Sequence, residues 1–220
     1  LGGMYNYDES RLRMLRVPYV ISGSGKTVPE DTGTYPKSAL VTTDTEIESQ
    51  SMVDYLCSCG HKRIAFITSG DEGLGRCHLN GYKRSLEKNG LEYDEKLIIR
   101  LKPGKRIYTI ENGYNCTCEL LKSGVDFSCI YAISDTLAVG ACRAVIDSGK
   151  RVPEDYCVAG ADGQDIAEYY HPSITTLKYP RVEIALQSVR TLFDLINRKK
   201  VVKRQILGGT LIERESTRKL

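Results

Sequence analysis

The chain has 220 residues, 41% of them hydrophobic and 27% charged, with a formal net charge of +3 at pH 7. That length holds one large or two small domains, and no apolar run approaches the roughly 20 residues of a membrane span. The weak, dispersed charge argues against a nucleic-acid surface in these residues, and eight cysteines, several inside apolar runs, fit buried thiols of a reducing cytoplasm better than a disulfide framework.

Leu1-Gly2-Gly3 reads as the end of a strand with further chain before it, and Asp8 to Leu15 as a short helix. Val17 to Ile21 is a strand with Pro18 near its start, where no ladder donor is lost. The following Ser22-Gly23-Ser24-Gly25-Lys26-Thr27 ends like a phosphate-binding loop. It lacks the required first glycine, Val20 standing there, and Pro29 and Pro36 oppose the helix that would hold a phosphate, so a surface loop is expected. Ala39 to Thr43 is a strand, Glu46 to Cys57 an amphipathic helix stopped by Gly60, Arg63 to Thr68 a strand, and Asp71 to Gly75 a loop. His78 to Asn89 is a helix, Leu97 to Leu101 a strand and Ile110 to Lys122 a helix.

Residues 129–162 form the central unit. Cys129 to Ile133 and Tyr156 to Ala159 are short buried strands, with Leu137, Val139, Ala141, Cys142, Val145 and Ile146 at helical spacing between them. A right-handed crossover makes these strands parallel and puts Asp135 and Asp162 at one edge of the sheet, where open α/β sheets take ligands. Asp135 either caps the helix that follows or touches a ligand, and the two roles are compatible. Beyond Asp162, Ile174 to Leu177 is a strand, Pro180 to Arg198 one long helix and Gln205 to Ile212 the last strand, so the chain returns to a first lobe and crosses back.

Other chemistry is poorly supported. Cys57-x-Cys59 with His61, and Cys116-x-Cys118, are too closely spaced for the common zinc sites, and no metal or cofactor is expected. Only three histidines occur, His61, His78 and His171, with no nucleophile turn and no Gly-rich dinucleotide turn, so no catalytic residues are assigned and an enzyme is disfavoured. The basic run Arg198 to Arg204 reads as a solvated connection after a helix end.

In these residues the chain resembles the effector-sensing region of the lactose repressor/galactose repressor family of bacterial transcription regulators. The matches are collinear: Asp44, Tyr55-Leu56, Gly60-His61-Lys62-Arg63-Ile64-Ala65-Phe66-Ile67, Gly81-Tyr82, Ser134-Asp135-Thr136-Leu137-Ala138-Val139-Gly140, Val152-Pro153-Glu154-Asp155, Val158-Ala159-Gly160-Ala161-Asp162, Pro172-Ser173-Ile174-Thr175-Thr176 and Arg214-Glu215-Ser216-Thr217. The resemblance covers essentially the whole chain. It implies an α/β fold of two Rossmann-like lobes with parallel sheets and three interlobe crossings, like type I periplasmic binding proteins. Residues 1–61 and 176–201 would form the first lobe, incomplete at its start, and residues 62–175 and 202–220 the second.

It further implies a cytoplasmic homodimer that binds a small-molecule effector, a carbohydrate above all, between the lobes. Operator DNA would be read by an N-terminal helix-turn-helix that these residues lack. The implied ligand-binding residues are Asp162, Asp135, Arg76, His78 and Ser134. Asp162 leads because it ends the central strand, with Gly160 and Gly163 leaving room for close approach. Two departures bear on the effector: His78 stands where sugar-responsive members carry arginine, and Ser134 where they often carry asparagine. A secreted sugar-binding protein of a transporter and a regulator that answers to a protein corepressor are the competing readings.

Overall fold

A computed structural model describes residues 2–3, 12, 14–23, 37–102, 104 and 106–220. The expected helix 8–15 and the phosphate-loop look-alike at Ser24 to Thr27 fall largely outside the described residues. The chain divides into two compact units, residues 1–44 with 180–209 and residues 45–179 with 210–220, and therefore passes between them three times.

The smaller unit is a four-stranded parallel sheet in the order β1 (Gly2–Gly3), β2 (Tyr19–Gly23), β3 (Ser38–Thr42), β9 (Arg204–Ile206). Leu40 is buried against Tyr19 and Ile21, and the helix Arg181–Ile196 packs on β2 and β3. The basic run that follows this helix is largely exposed, with Lys199 paired to Asp194 at 3.1 Å.

The larger unit is a six-stranded sheet in the order β10 (Thr210–Ile212), β8 (Thr175–Lys178), β7 (Cys157–Asp162), β6 (Cys129–Ala132), β4 (Ile64–Thr68), β5 (Ile98–Arg100). Every pairing is parallel except that of β10 with β8. β4 and β6 are buried along their whole length, which explains their uninterrupted apolar sequences. The helices Thr45–Ser58 and Gly73–Lys88 pack together, as do Ile110–Lys122 and Asp135–Asp147. Both crossings depend on glycine. A side chain on Gly81 would run into the Glu46 carbonyl, and side chains on Gly113 and Gly140 would each strike the backbone of the facing helix. Tyr82 fastens its helix to the sheet, stacking on Phe66 at 4.8 Å and donating its hydroxyl proton to the Ile64 carbonyl at 2.8 Å.

The unit boundaries differ from those expected at 61/62, 175/176 and 201/202. Helix 45–58 belongs with helix 73–88 because the two touch at Gly81, β8 stays paired with β7 through Lys178, and β9 lies beside β3. The single last strand expected over 205–212 is two strands, one in each sheet, broken at Gly208-Gly209. The helix expected from His78 begins at Gly73, so Arg76 and His78 lie in its first two turns. Among the described residues, no helix is long and apolar enough to cross a membrane.

At the amino end of the larger sheet, residues 214–217 are sewn across β7 and β8. The Ser216 hydroxyl donates to the Val158 carbonyl at 2.6 Å and accepts the Thr175 amide at 2.8 Å, while the Thr175 and Thr217 hydroxyls meet at 2.6 Å. Arg214 donates to the Ile174 carbonyl at 2.9 Å, and Glu215 accepts the Ser173 amide at 2.8 Å. His61, expected at a turn, is buried there with Nδ1 at 2.9 Å from the Ser128 hydroxyl; its ring faces the Arg218 backbone outside strict hydrogen-bond geometry. All eight cysteines are free thiols.

Candidate functional site

The carboxyl ends of β4, β6, β7 and β8 bring together the polar residues of the larger unit that its sheet does not need for pairing. β6 runs through Ile133 into Ser134, whose extended backbone (φ −152°) puts its hydroxyl 3.3 Å from the Leu137 amide. Ser134, not Asp135, is therefore the cap of helix 135–147, and its hydroxyl also meets that of Thr136 at 3.1 Å.

Asp135 occupies the first helical position and turns inward, with no exposed surface. Its Oδ1 accepts the Thr176 hydroxyl at 2.6 Å and its Oδ2 accepts the Gln164 amide at 2.6 Å. Burial raises this carboxyl to about 6, against the pull of those two donors toward the ionised form. Asp135 is thus buried with both oxygens engaged inside the protein, which sets it apart from Asp162, with which it was expected to share a ligand.

Asp162 is different. It ends β7 with a left-handed backbone, φ +101°, one of two non-glycine residues with positive φ among the described residues, and is partly exposed. Its Oδ2 accepts the Gln164 side-chain amide at 3.1 Å. A non-glycine residue held at such a φ costs of order 1–3 kcal/mol, which surrounding contacts must offset. The neighbouring glycines do not leave the expected free space. A Cβ on Gly160 would fall on Asp135 Oδ1, and one on Gly163 would lie 2.6 Å from the Lys178 side chain.

On the other side of β6, Thr68 closes β4 and helix 73–88 starts five residues later. Arg76 is exposed. His78 is held by its carbonyl, which accepts the Ser49 hydroxyl at 2.9 Å, and burial pushes its imidazole down to about 4, so the ring is neutral at pH 7. His78 Nδ1 and Thr68 Oγ1 are buried with no hydrogen-bond partner among the described residues. Buried polar atoms are normally satisfied, and these two follow the carboxyl end of β4, although His61 Nε2 and Thr117 Oγ1 elsewhere in the unit are likewise buried without a partner among the described residues. The fold gathers Ser134, Asp135 and Asp162 at the carboxyl ends of the adjacent strands β6 and β7, and sets Arg76 and His78 on the helix that follows β4.

Thr68, Gln164 and Thr176 were invisible from sequence. Each is an ordinary polar residue whose importance comes from a partner far along the chain; the one local signal was the glycine at 160, which marks where the Asp135 carboxylate lies. Among the described residues, no group of three or more His, Cys, Asp or Glu side chains is placed to hold a metal.

A partly exposed carboxylate, a serine hydroxyl, a neutral imidazole and a buried threonine hydroxyl offer hydrogen-bond donors and acceptors near the carboxyl ends of these strands.

The family model for the periplasmic binding protein-like domain matches residues 53–217. The chain is 41% identical over 146 residues to the HTH-type transcriptional regulator MalR of Clostridium butyricum, covering 66% of this chain and 42% of that protein. The structure is similar to a sugar-binding transcriptional regulator of the LacI family from Escherichia coli complexed with phosphate, with a TM-score of 0.83 and 26% identity, covering 99% of this chain and 76% of the other. It is also similar to the transcriptional regulator CelR–cellobiose complex, with a TM-score of 0.76 and 32% identity over 91% of this chain and 59% of that one. The chain spans about half the length of the curated relatives it matches.

Proposed function

This chain belongs to the LacI family of transcription regulators and carries their periplasmic binding protein-like domain, and from that premise we propose that it is the effector-sensing part of a cytoplasmic, homodimeric regulator of bacterial sugar genes. The effector is a neutral carbohydrate taken at the carboxyl edge of the larger sheet. Asp162 accepts paired hydroxyl protons from it, Ser134 and Thr68 exchange hydroxyl hydrogen bonds, and His78 supplies a neutral donor or acceptor where a cation would otherwise stand. Arg76, exposed two residues before the imidazole on the same helix, contributes its charge only at the rim. Operator binding and the symmetric dimer that presents two DNA-reading heads belong to the same proposal; dimers read paired half-sites.

The observation that carries the reading is the strained, partly exposed Asp162 at a sheet edge that also holds two unpartnered buried polar atoms. The relatives' names, all of regulators, favour this over a secreted binding protein. Calorimetry with a panel of neutral sugars headed by cellobiose, with inorganic phosphate in parallel, tests it. A sugar that binds the parent and loses at least about tenfold in affinity in Asp162→Ala supports the reading, since each lost charge-assisted hydrogen bond costs roughly 1.5–3 kcal/mol. A folded chain that binds no sugar in the panel, or binds equally well without the carboxylate, sinks it and favours control by a protein corepressor.

A further inference from the structure

Two successive amides follow Asp162, and both end on the same buried carboxylate. The Gln164 N–H donates directly to Asp135 Oδ2 at 2.6 Å. The Gly163 N–H donates to Thr176 Oγ1 at 3.3 Å, and that hydroxyl passes its own proton to Asp135 Oδ1 at 2.6 Å. The turn is thereby tied through helix 135–147 to β8, the next strand of the sheet. Gln164 then reaches back with its side-chain amide to Asp162 Oδ2 at 3.1 Å.

This arrangement accounts for three features at once. The left-handed backbone of Asp162 persists because the amides on its far side cannot swing away. Residue 160 lacks a side chain because one would collide with Asp135. Asp135 has no exposed surface because its job is internal. We infer that Asp135, acting with Thr176, is a positioning residue: it fixes the turn 162–164 so that the Asp162 carboxylate is held in place for the effector before the effector arrives. Preset geometry spares the ordering cost that binding would otherwise bear. The inference rests on the proposed role of Asp162 as the ligand contact, but the clamp itself is testable without any ligand.

Amide hydrogen exchange, read residue by residue on the full chain by NMR, is the first arm. In Asp135→Asn the Gln164 and Gly163 amides should exchange roughly tenfold faster or more while the core amides of β4 and β6 keep their protection. Thr176→Val, which keeps the shape but removes the relay, should release Gly163; Thr176→Ser, which restores the hydroxyl, should protect it again. Cellobiose calorimetry on the same variants is the second arm. Affinity should fall about tenfold in Asp135→Asn and Thr176→Val and recover in Thr176→Ser. Unchanged protection at Gly163 and Gln164 in both Asp135→Asn and Thr176→Val overturns the inference, and so does lost binding with protection intact, which would make Asp135 a direct contact. If the amides respond as expected while the parent binds no cellobiose, the clamp stands and the cellobiose reading alone fails.

Discussion

The two ends of the larger sheet use the same kinds of residue to opposite purposes. At the amino end, Ser216, Thr175 and Thr217 spend their hydroxyls on one another and on the backbone of β7, so serine and threonine there act as permanent stitching. At the carboxyl end, Thr68 and His78 keep buried polar atoms without partners among the described residues, and Asp162 holds an unfavourable backbone conformation. Buried polar groups stabilise only when satisfied. The stitching of residues 214–217 therefore contributes stability at the amino end, where His61 Nε2 is nonetheless buried without a partner among the described residues. At the carboxyl end Thr68, His78 and the backbone of Asp162 cost stability while the Asp135–Thr176 pair contributes it.

The sharpest way to break this contrast is at the stitched end. Ser216→Ala leaves the Val158 carbonyl and the Thr175 amide buried without their partner, and should cost roughly 3–5 kcal/mol, read as a lower urea midpoint with no change in ligand preference. A loss below about 1 kcal/mol would mean that the stitching is dispensable.

The pH dependence comes next. The Asp135 carboxyl is raised by folding to about 6 from an ordinary 3.8, so the folded chain holds a proton that the unfolded chain releases. Its stability contribution is full below about pH 4 and is lost as pH rises through about 6, a change of at most about 3 kcal/mol. Asp162, Arg214 and Tyr131 are the other titratable groups that face it. Burial lowers His78 to about 4 and also lowers His61, which adds stability as pH rises over the same window, so the Asp135 effect is read as a difference. Urea denaturation between pH 4 and 7 should show stability rising more steeply with pH in Asp135→Asn than in the parent, and equal slopes would place the carboxylate's proton elsewhere.

At the carboxyl end, where the effector is proposed to bind, the effects should separate function from stability. Asp162→Asn should lose roughly 1.5–3 kcal/mol of sugar binding and leave the urea midpoint close to that of the parent. Asp162→Gly should go further, since glycine adopts φ +101° without penalty: it should gain about 1 kcal/mol of stability while losing the same affinity. A glycine variant less stable than the parent would show that the backbone at 162 is not under strain.

Much of the architecture was legible. The apolar runs of β4 and β6, the 3.6-residue spacing between them and β7, and the strand ends at Asp135 and Asp162 are local patterns, and local patterns survive in sequence. The unit boundaries were less legible, because a strand's sheet is decided by its neighbours: β9 and β10 look alike as apolar segments, yet one lies beside β3 and the other beside β8. The site was legible only in position. That Asp162 is partly exposed and Asp135 fully buried turns on partners such as Thr176, 41 residues from Asp135. The cap showed the same limit, since Ser134 and Asp135 are both good capping residues and only the backbone angle distinguishes them.

The stitching by residues 214–217 also sets a timetable. β7 and β8 leave the ribosome some 40 to 60 residues before the serine that joins them, which at roughly 5–20 residues per second is an interval of seconds. During it the Val158 carbonyl and the Thr175 amide have no Ser216 to meet, and the sheet waits with an unfinished edge. The smaller unit waits as well, because β9 is made almost as late. Neither unit can finish its sheet until residues 204–216 have been made, so both wait on the same short stretch of chain.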